Sequence, residues 1–213
     1  MKFCVIGLGR LGYSVASKLA ENGMEVIAID RDEAIIASIR DEVTQAICMQ
    51  VIDEDSLHSI GIEEIDTAIV ATGKNFAQSV LITALLKKLN VPHVIARAIN
   101  DIHKDILSLL GAVRIVQPEK EVGIRLADRL SSPFTDIFRI THSFSINQIP
   151  TPSKFIGKTP EQIDFEKNYN VSLIGVKESD ETINTDSSRI IEEDDKLIFS
   201  GENKYLDKIA KIS

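Results

Sequence analysis

Short apolar segments alternate with amphipathic helical patterns along the first two thirds of the chain. The apolar segments are typical of strands and cover residues 2–6, 25–30, 45–49, 67–71, 93–97 and 113–116. Between and after them, the spacing of apolar residues predicts helices over residues 11–22, 33–40, 54–60, 75–89, 102–110 and 119–130. Strands that are apolar throughout are buried on both faces, and their alternation with helices indicates βαβ units. The sequence therefore predicts a Rossmann-like α/β fold with a doubly wound parallel sheet.

The pattern changes after Ser131-Ser132-Pro133, where a break or linker is expected. A polar turn at Ser179-Asp180-Glu181 is typical of a hairpin. Strands are predicted over residues 138–145, 171–177 and 196–200, and helices over residues 160–169 and 203–212. These elements indicate a small α+β domain. The predicted domains are therefore residues 1–133 and 134–213.

Two of the predicted helices carry apolar residues at a spacing typical of a buried face. These residues are Leu81, Leu85 and Leu89 in one helix, and Ile102, Ile106 and Leu110 in the other. Residues at this spacing belong to a core more often than to an interface. We therefore expect them to pack in the core, with a subunit interface as the alternative.

Charge and hydropathy exclude several classes of protein. The net charge is −8, with 18 acidic against 14 basic residues at positions 1–135 and 14 against 10 at positions 136–213. Neither part offers the clustered basic face that nucleic-acid binding requires, so no nucleic-acid partner is expected. No apolar segment approaches the length of a membrane span or of a signal peptide, which predicts a cytoplasmic protein.

The two cysteines, Cys4 and Cys48, each lie in an apolar segment. Burial as reduced thiols is the expected outcome for both. The histidines are scattered along the chain and show no ligand spacing, so a zinc site of the clustered kind is excluded.

A glycine-rich loop connects the first predicted strand to the first predicted helix. Its residues, in the order G-x-G-x-x-G, are Gly7, Leu8, Gly9, Arg10, Leu11 and Gly12. Gly7 is expected to allow the tight turn, Gly9 to let the backbone approach a phosphate, and Gly12 to let the helix pack closely on the sheet. The amide groups and the positive dipole end of the helix then attract a phosphate. Strand, loop and helix together predict nucleotide binding.

An acidic residue ends the second predicted strand. This residue, Asp30, lies 23 positions after Gly7. The spacing is close to that of a carboxylate that holds two ribose hydroxyls and disfavours a 2′-phosphate by charge repulsion. Asp30 and the neighbouring Arg31 are therefore predicted to contact the nucleotide.

Arg10 stands in the loop although an ordinary dinucleotide site does not require a cation there. Beside a phosphate site, its guanidinium would form charge-assisted hydrogen bonds to terminal phosphates. The alternative is a solvated side chain at the start of a helix, where the dipole makes a cation mildly unfavourable. Because of that cost we favour the phosphate contact.

The motifs as a set resemble the RCK domain, the cytosolic regulator of potassium conductance of bacterial Ktr and Trk potassium-uptake systems. The resemblance is carried by the glycine loop, by Asp30, and by Val116-Gln117-Pro118-Glu119-Lys120-Glu121. The last third resembles the small second module of those proteins, through Gly157-Lys158-Thr159, residues 171–177 and the segment 193–201. The resemblance thus spans essentially the whole chain.

The resemblance implies a set of nucleotide contacts along one crevice. The ribose is expected on Asp30, the adenine edge on Gln50, and the phosphates on Arg10 and Arg97. Glu119 matches an acid at a subunit interface where a divalent ion, Mg²⁺ or Ca²⁺, accompanies ATP. The other predicted contacts are Val51 after the third strand and Thr72, Gly73 and Asn75 after the fourth. The chain departs from the family at Met49-Gln50-Val51, where Gly-Asp-Ala is common.

The resemblance also implies ligands and partners. ATP and ADP are the expected ligands, NAD and NADH are the alternative pair, and cyclic di-AMP binds the second module of some relatives. The implied partners are a membrane potassium channel or transporter subunit of the KtrB or TrkH kind, and further copies of the chain, as dimers that form an octameric ring. The protein would then lie on the inner face of the cell membrane and act as a switch, not as an enzyme.

Two other functions remain open on the sequence. An NAD-dependent oxidoreductase would use the same glycine loop and Asp30, but the second domain offers only His142 as a histidine and no evident catalytic pair. A ligand-sensing module attached to another transporter or to transcription machinery is the third interpretation.

Overall fold

The computed structural model of the protein describes residues 1–72, 75–131 and 136–212, without the side chains of residues 128, 129 and 131. The chain divides into two units, Met1–Glu121 and Val122–Ser213, and each is described by itself. The predicted break at Ser132-Pro133 and the predicted boundary after residue 133 fall outside the described residues. That boundary stays a prediction.

A six-stranded sheet forms the centre of the first unit. Its strands are β1 (Lys2–Ile6), β2 (Glu25–Asp30), β3 (Gln45–Cys48), β4 (Thr67–Val70), β5 (His93–Arg97) and β6 (Arg114–Val116). The strand order is β3-β2-β1-β4-β5-β6, and every neighbouring pair is parallel. The chain moves outward from β1 through β2 to β3 and then returns to the other side of β1 at β4. The predicted doubly wound fold is confirmed, and its switch point lies between β1 and β4.

The helices of the first unit connect these strands. They are α1 (Arg10–Glu21), α2 (Glu33–Ile39), α3 (Glu54–His58), α4 (Phe76–Lys88), α5 (Asp101–Leu109) and α6 (Pro118–Ser131), which continues into the second unit, with a 3₁₀ turn at Ile62–Glu64. Side-chain caps explain where several of them start. Asp32 accepts a hydrogen bond from the N–H of Ala34 at α2, and Asn100 accepts one from the N–H of His103 at α5.

The sheet of the first unit has an apolar layer on each face. Neighbouring residues of β1 point to opposite sides, as in any strand. Cys4 packs in one buried cluster with Leu57 and Leu86. Val5 packs in the other with Ala16 and Ile36. Burial on both faces explains why these strands are apolar throughout.

The prediction that one face of α4 and of α5 packs in the core is wrong for Leu81 and Ile102, but it is confirmed for Leu85 and Leu89, which pack against the core. The side of α4 that is buried carries Ile82 and Leu86, whereas Leu81 is 42% exposed. On α5 the buried residues are His103 and Leu107, and Ile102 is 71% exposed. The other four residues of the two predicted faces, Leu85, Leu89, Ile106 and Leu110, are half-buried. Because α4 is apolar on more than one side, leucine spacing alone does not identify the side that meets the sheet.

The second unit contains a five-stranded antiparallel sheet. Its strands are β7 (Asp136–Arg139), β8 (Phe144–Pro150), β9 (Ser172–Lys177), β10 (Ile183–Asn184) and β11 (Lys196–Glu202), in the order β10-β9-β11-β8-β7. Its helices are α7 (Pro160–Ile163), α8 (Phe165–Tyr169) and α9 (Asn203–Ile209), with a 3₁₀ turn at Ser153–Phe155. The core centres on Phe155, Phe165 and Phe199, which pack edge to face. The predicted small α+β domain is confirmed.

Two element predictions in the second unit are wrong. Residues 138–145 do not form one strand, because β7 ends at Arg139 and β8 begins at Phe144 after a turn in which Ile140 N–H bonds the carbonyl of Phe144. Residues 160–169 do not form one helix, because Asp164 adopts a left-handed φ of 49° between α7 and α8. The hairpin predicted at residues 179–181 is present between β9 and β10.

Candidate functional site

The glycine loop forms a tight turn between β1 and α1. Gly7 has a φ of +91°, which L residues with a side chain rarely adopt. A Cβ atom on Gly7 would also lie 2.8 Å from Cγ2 of Thr72, in the loop after β4. A Cβ atom on Gly12 would meet the carbonyl oxygen of Gly7 and the side chain of Ala71. The turn and packing roles predicted for Gly7 and Gly12 are thus confirmed.

The start of α1 combines open space with amide donors. A Cβ atom on Gly9, the N-cap residue, would meet nothing within 4 Å among the described atoms. The first turn of α1 contains no acidic residue, and no side chain caps it. The first amides of a helix have no partner within the helix and lie at the positive end of its dipole. Arg10 is exposed, and Leu11 is half-buried against the core. An anion can therefore approach this turn through Gly9.

Asp30, at the end of β2, is hydrogen-bonded to the glycine loop. Its Oδ2 accepts a hydrogen bond of 2.6 Å from the N–H of Leu8, and its Oδ1 accepts one of 3.0 Å from the N–H of Asp32. The side chain of Leu8 is buried in the core. Each oxygen of a carboxylate can accept a second bond, so both remain able to receive a hydroxyl. Asp30 thus has a structural role that the sequence did not indicate.

The loop after β3 lies beside Asp30, because Cys48 is its register partner on the neighbouring strand. Gln50 is exposed, as a ligand contact requires. Val51, in contrast, is 2% exposed in the core, so only its backbone is available to a ligand. Arg31 is exposed, and its carbonyl oxygen lies 3.6 Å from Sγ of Cys48.

The prediction that both cysteines are buried is wrong for Cys48. Cys48 is exposed at the end of β3, an outer strand of the sheet. Cys4 lies in the central strand β1 and is buried, and this burial raises the pKa of its thiol to about 12. The difference arises because an apolar run can continue to the exposed end of an outer strand.

The loop after β4 faces the glycine loop. In the described part of the chain, Oγ1 of Thr72 is buried and has no hydrogen-bond partner. Such a buried hydroxyl is costly to leave unpaired. Asn75 caps α4, where its Oδ1 accepts a bond of 3.2 Å from the N–H of Gln78. Gly73, the third predicted contact in this loop, lies outside the described residues.

Arg97 and Glu119 form an ion pair on the far side of the switch point. Arg97 ends β5, and one of its terminal nitrogens donates to Oε1 of Glu119 in the first turn of α6. Nε of Arg97 is buried and has no partner among the described residues. The pKa of Glu119 is lowered, first by hydrogen bonding to its own backbone N–H and then by the charges of Arg97 and Arg10. Arg97 and Arg10, the two predicted phosphate contacts, therefore both favour the ionised form of Glu119, the predicted ion ligand.

A second set of polar contacts holds the start of α6 against α5. Nζ of Lys120 lies 2.8 Å from Oδ1 of Asp101, and Nε2 of Gln117 donates to the same oxygen at 3.2 Å. These contacts are not predicted by any pattern in the sequence. They join residues that are 16 and 19 positions apart and whose spacing carries no helical or strand signal.

The described residues contain no cluster of side chains that would hold a metal ion. In residues 1–72, 75–131 and 136–212, no three His, Cys, Asp or Glu side chains come together in a way that would hold an ion. Glu119 would supply one carboxylate, so a divalent ion there would need phosphate oxygens and water for the rest of its shell. Mg²⁺ is commonly bound in that way.

The second unit contains a cavity of about 440 Å³ beside β9. Carboxylates contribute to its lining, at Glu161, Asp164, Glu166 and Asp186, together with apolar side chains such as Phe165 and Leu173. No Lys or Arg is among its lining residues. The cavity thus has acidic character and provides no cation for a phosphate.

Comparison with known proteins decides the family. The TrkA-N domain family matches residues 3–118, and the TrkA-C domain family matches residues 148–213. The chain belongs to the TrkA family. This confirms the resemblance that the glycine loop, Asp30 and the start of α6 indicated. The Ktr system potassium uptake protein C of Bacillus subtilis strain 168 is 32% identical, over 99% of this chain and 96% of that protein.

Solved structures show the same fold. The GsuK channel bound to NAD matches with a TM-score of 0.66 and 16% identity, over 96% of this chain and 38% of that chain. The structure of GsuK bound to ADP matches with a TM-score of 0.53 and 23% identity, over 61% of this chain and 34% of that chain. This chain therefore spans well under half of the GsuK chain. In the described segments, we find no helix with the length and apolar character of a membrane span.

Proposed function

We propose that this TrkA-family protein is a nucleotide-sensing regulatory subunit of a potassium-uptake system. The observation that carries the proposal is the set of residues at the switch point, where the glycine loop, Asp30, Thr72 and Arg97 lie at the carboxyl ends of adjacent strands. Open α/β sheets bind ligands at this place. Similarity over almost the full length to a Ktr potassium uptake protein supports the link to potassium.

The residues at the switch point suit an adenine nucleotide. The amides at the start of α1 would hold phosphates, and the remaining acceptor sites of Asp30 would take the ribose hydroxyls. Thr72 Oγ1 and Arg97 Nε are buried donors without partners in the described residues, and a phosphorylated ligand would satisfy them. ATP and ADP are the proposed pair, with NAD and NADH as the alternative. Cyclic di-AMP in the second unit has less support, because the cavity beside β9 is acidic.

A regulatory switch requires a ligand contact that differs between two states. Arg10 supplies such a contact if it meets the γ-phosphate, because ADP lacks that group. Glu119 would then help to hold a divalent ion that accompanies ATP. A ligand bound equally well in both states would shift nothing.

The partners in this proposal are a membrane potassium channel or transporter subunit and further copies of the chain. Exposed apolar side chains on α4, α5 and the loop before β6 support self-association. They include Leu81, Ile102, Leu109 and Val113, of which Leu109 is 88% exposed. Docking to a membrane subunit would place the protein on the cytoplasmic face of the membrane. Ring formation rests on the family resemblance.

The test compares ATP and ADP on Arg10→Ala by calorimetry. Loss of a charge-assisted hydrogen bond should weaken ATP by about 1–3 kcal/mol more than ADP. Arg40→Ala, which removes an exposed arginine at the end of α2, is the matched control and should change neither affinity. Equal losses for both nucleotides in Arg10→Ala would show that this residue does not distinguish them.

The oxidoreductase alternative predicts a different result. It requires turnover of NADH with alcohols, aldehydes or acids. The proposal predicts nucleotide binding without turnover across such a panel. Robust NADH oxidation would overturn the regulatory proposal.

A further inference from the structure

Arg97, which binds phosphate in the proposed function, forms an ion pair with the carboxylate of Glu119. The side chain of Arg97 is 21% exposed, and that of Glu119 is 71% exposed. Solvent therefore reaches only part of the Arg97 side chain, and the carboxylate of Glu119 contacts its guanidinium. Nε of Arg97, which is buried, has no described partner.

We propose that Glu119 competes with the nucleotide phosphate for Arg97. This inference rests on the proposed function. A guanidinium presents a planar set of donors that suits the oxygens of a carboxylate or of a phosphate. Glu119 already accepts a hydrogen bond from one terminal nitrogen of Arg97. A phosphate that binds this edge of the guanidinium through two parallel hydrogen bonds therefore competes with Glu119 for that nitrogen. The carboxylate also repels the phosphate, since both are anions.

Displacement of Glu119 has a consequence for α6. The start of α6 is held to the end of β5 by the pair of Glu119 with Arg97. It is held to the start of α5 by the contacts of Lys120 and Gln117 with Asp101. A phosphate on Arg97 would remove the first contact and leave the other two. Nucleotide binding would thus loosen the start of the helix that continues into the second unit.

The same exchange predicts how divalent ions act. Once Arg97 has moved to the phosphate, Glu119 is a free carboxylate beside an anionic ligand. A divalent ion between them would offset their repulsion. Glu119 is therefore expected to weaken nucleotide binding without an ion and to support it when an ion is present.

The experiment measures ADP affinity of the full chain by calorimetry, with EDTA and with Mg²⁺, for wild type, Glu119→Gln and Glu121→Gln. Glu121 lies in the same turn, where its Oε1 accepts from the N–H of Gln117. Its variant controls for the change in net charge. In EDTA, Glu119→Gln should bind ADP about two- to five-fold more tightly than wild type, as expected for loss of a partly exposed ion pair. Glu121→Gln should stay within about two-fold of wild type.

Two results would overturn the inference. Unchanged or weaker ADP binding by Glu119→Gln in EDTA would show that Glu119 does not compete for Arg97, while wild-type binding would still support the proposed function. An equal gain in Glu121→Gln would show that net charge alone is responsible. Absence of ADP binding by wild type would overturn the proposed function, and this inference with it.

Discussion

A Cβ atom on Gly12 would lie 1.9 Å from the carbonyl oxygen of Gly7. Real Cβ atoms do not approach an oxygen so closely. The first helix can therefore start where it does only because residue 12 has no side chain. This contact fixes the distance between the glycine loop and the body of α1.

Gly12→Ala should destabilise the protein, because the loop or the helix must shift to remove the clash. We expect a loss of about 1–3 kcal/mol in the free energy of unfolding, as for other overpacked sites. Urea unfolding followed by circular dichroism measures it. Gly9→Ala is the matched control, since its Cβ atom would meet nothing described within 4 Å and its φ is −66°. Stability equal to wild type in Gly12→Ala would contradict the geometry of the loop.

Gly9→Ala should instead affect the ligand. A methyl group at this position would occupy the space through which a phosphate approaches the amides of α1. We expect at least about ten-fold weaker ADP binding, with stability close to wild type. Calorimetry on the folded variant tests this, and unchanged affinity would move the phosphate away from Gly9.

Asp30→Ala should weaken every adenosine ligand and lower stability by about 1 kcal/mol, because it also removes the bond from the N–H of Leu8. The control is Asp32→Ala, which removes the cap of α2 and should cost similar stability without loss of affinity. Thermal unfolding and ADP titration of both variants separate the two effects. An ADP affinity of Asp30→Ala equal to that of wild type would contradict the assignment of Asp30 to the ribose.

Asp195→Asn should strongly destabilise the second unit. Asp195 and Arg189 pair through two bonds of 2.5 and 2.9 Å, and their side chains are 4% and 16% exposed. Arg189 keeps its ion pair with Glu178 through Nε, so the guanidinium is not left without a partner, but its hydrogen bonds to the carboxylate of Asp195 are weakened. We expect a loss of about 1–3 kcal/mol in the free energy of unfolding. Asp194→Asn at the exposed neighbour should change stability by less than about 0.5 kcal/mol. Denaturant unfolding compares them, and a similar effect in both would refute the assigned role.

The same pair predicts a dependence on pH. Burial opposes ionisation of Asp195, but hydrogen bonds from Arg189 and from the N–H of Glu192 outweigh it and lower its pKa. A lowered folded pKa means that its stabilisation is complete above the unfolded pKa of about 3.9 and is lost as pH falls through the folded value. Between pH 7 and pH 3, wild type should therefore lose more stability than Asp195→Asn. Equal losses of stability in the two proteins would argue against a lowered pKa of Asp195 in the folded state.

Cys48 should react with maleimide in the native protein, and Cys4 should not. Cys48 is exposed, whereas burial raises the pKa of Cys4 to about 12, so little thiolate forms there. Mass spectrometry after brief labelling should find one adduct on native protein and two after unfolding. An adduct on Cys4 before unfolding would indicate that β1 opens.

The sequence predicted the first unit well because its strands follow a strong rule. Residues buried on both faces must be apolar throughout, and the turn at Gly7 requires a glycine. The end of β2 at Asp30 can also be predicted from the sequence, because a charged residue ends the apolar segment there. These signals are local and do not depend on the rest of the fold.

The remaining features depend on distant partners. Whether Leu81 or Ile82 faces the sheet is decided by how α4 packs, and both residues are apolar. The bond from the N–H of Leu8 to Asp30 joins two strand ends, and the pair of Arg97 with Glu119 joins β5 to α6. No short sequence window contains both members of these pairs.

Direct titration of ligand-free protein with ADP and with ATP tests whether the residues at the switch point bind an adenine nucleotide. The protein should first be stripped of bound nucleotide by partial unfolding and refolding, then titrated in a calorimeter. We expect saturable binding of both nucleotides at one site per chain. Absence of binding of either nucleotide up to about 1 mM would contradict it.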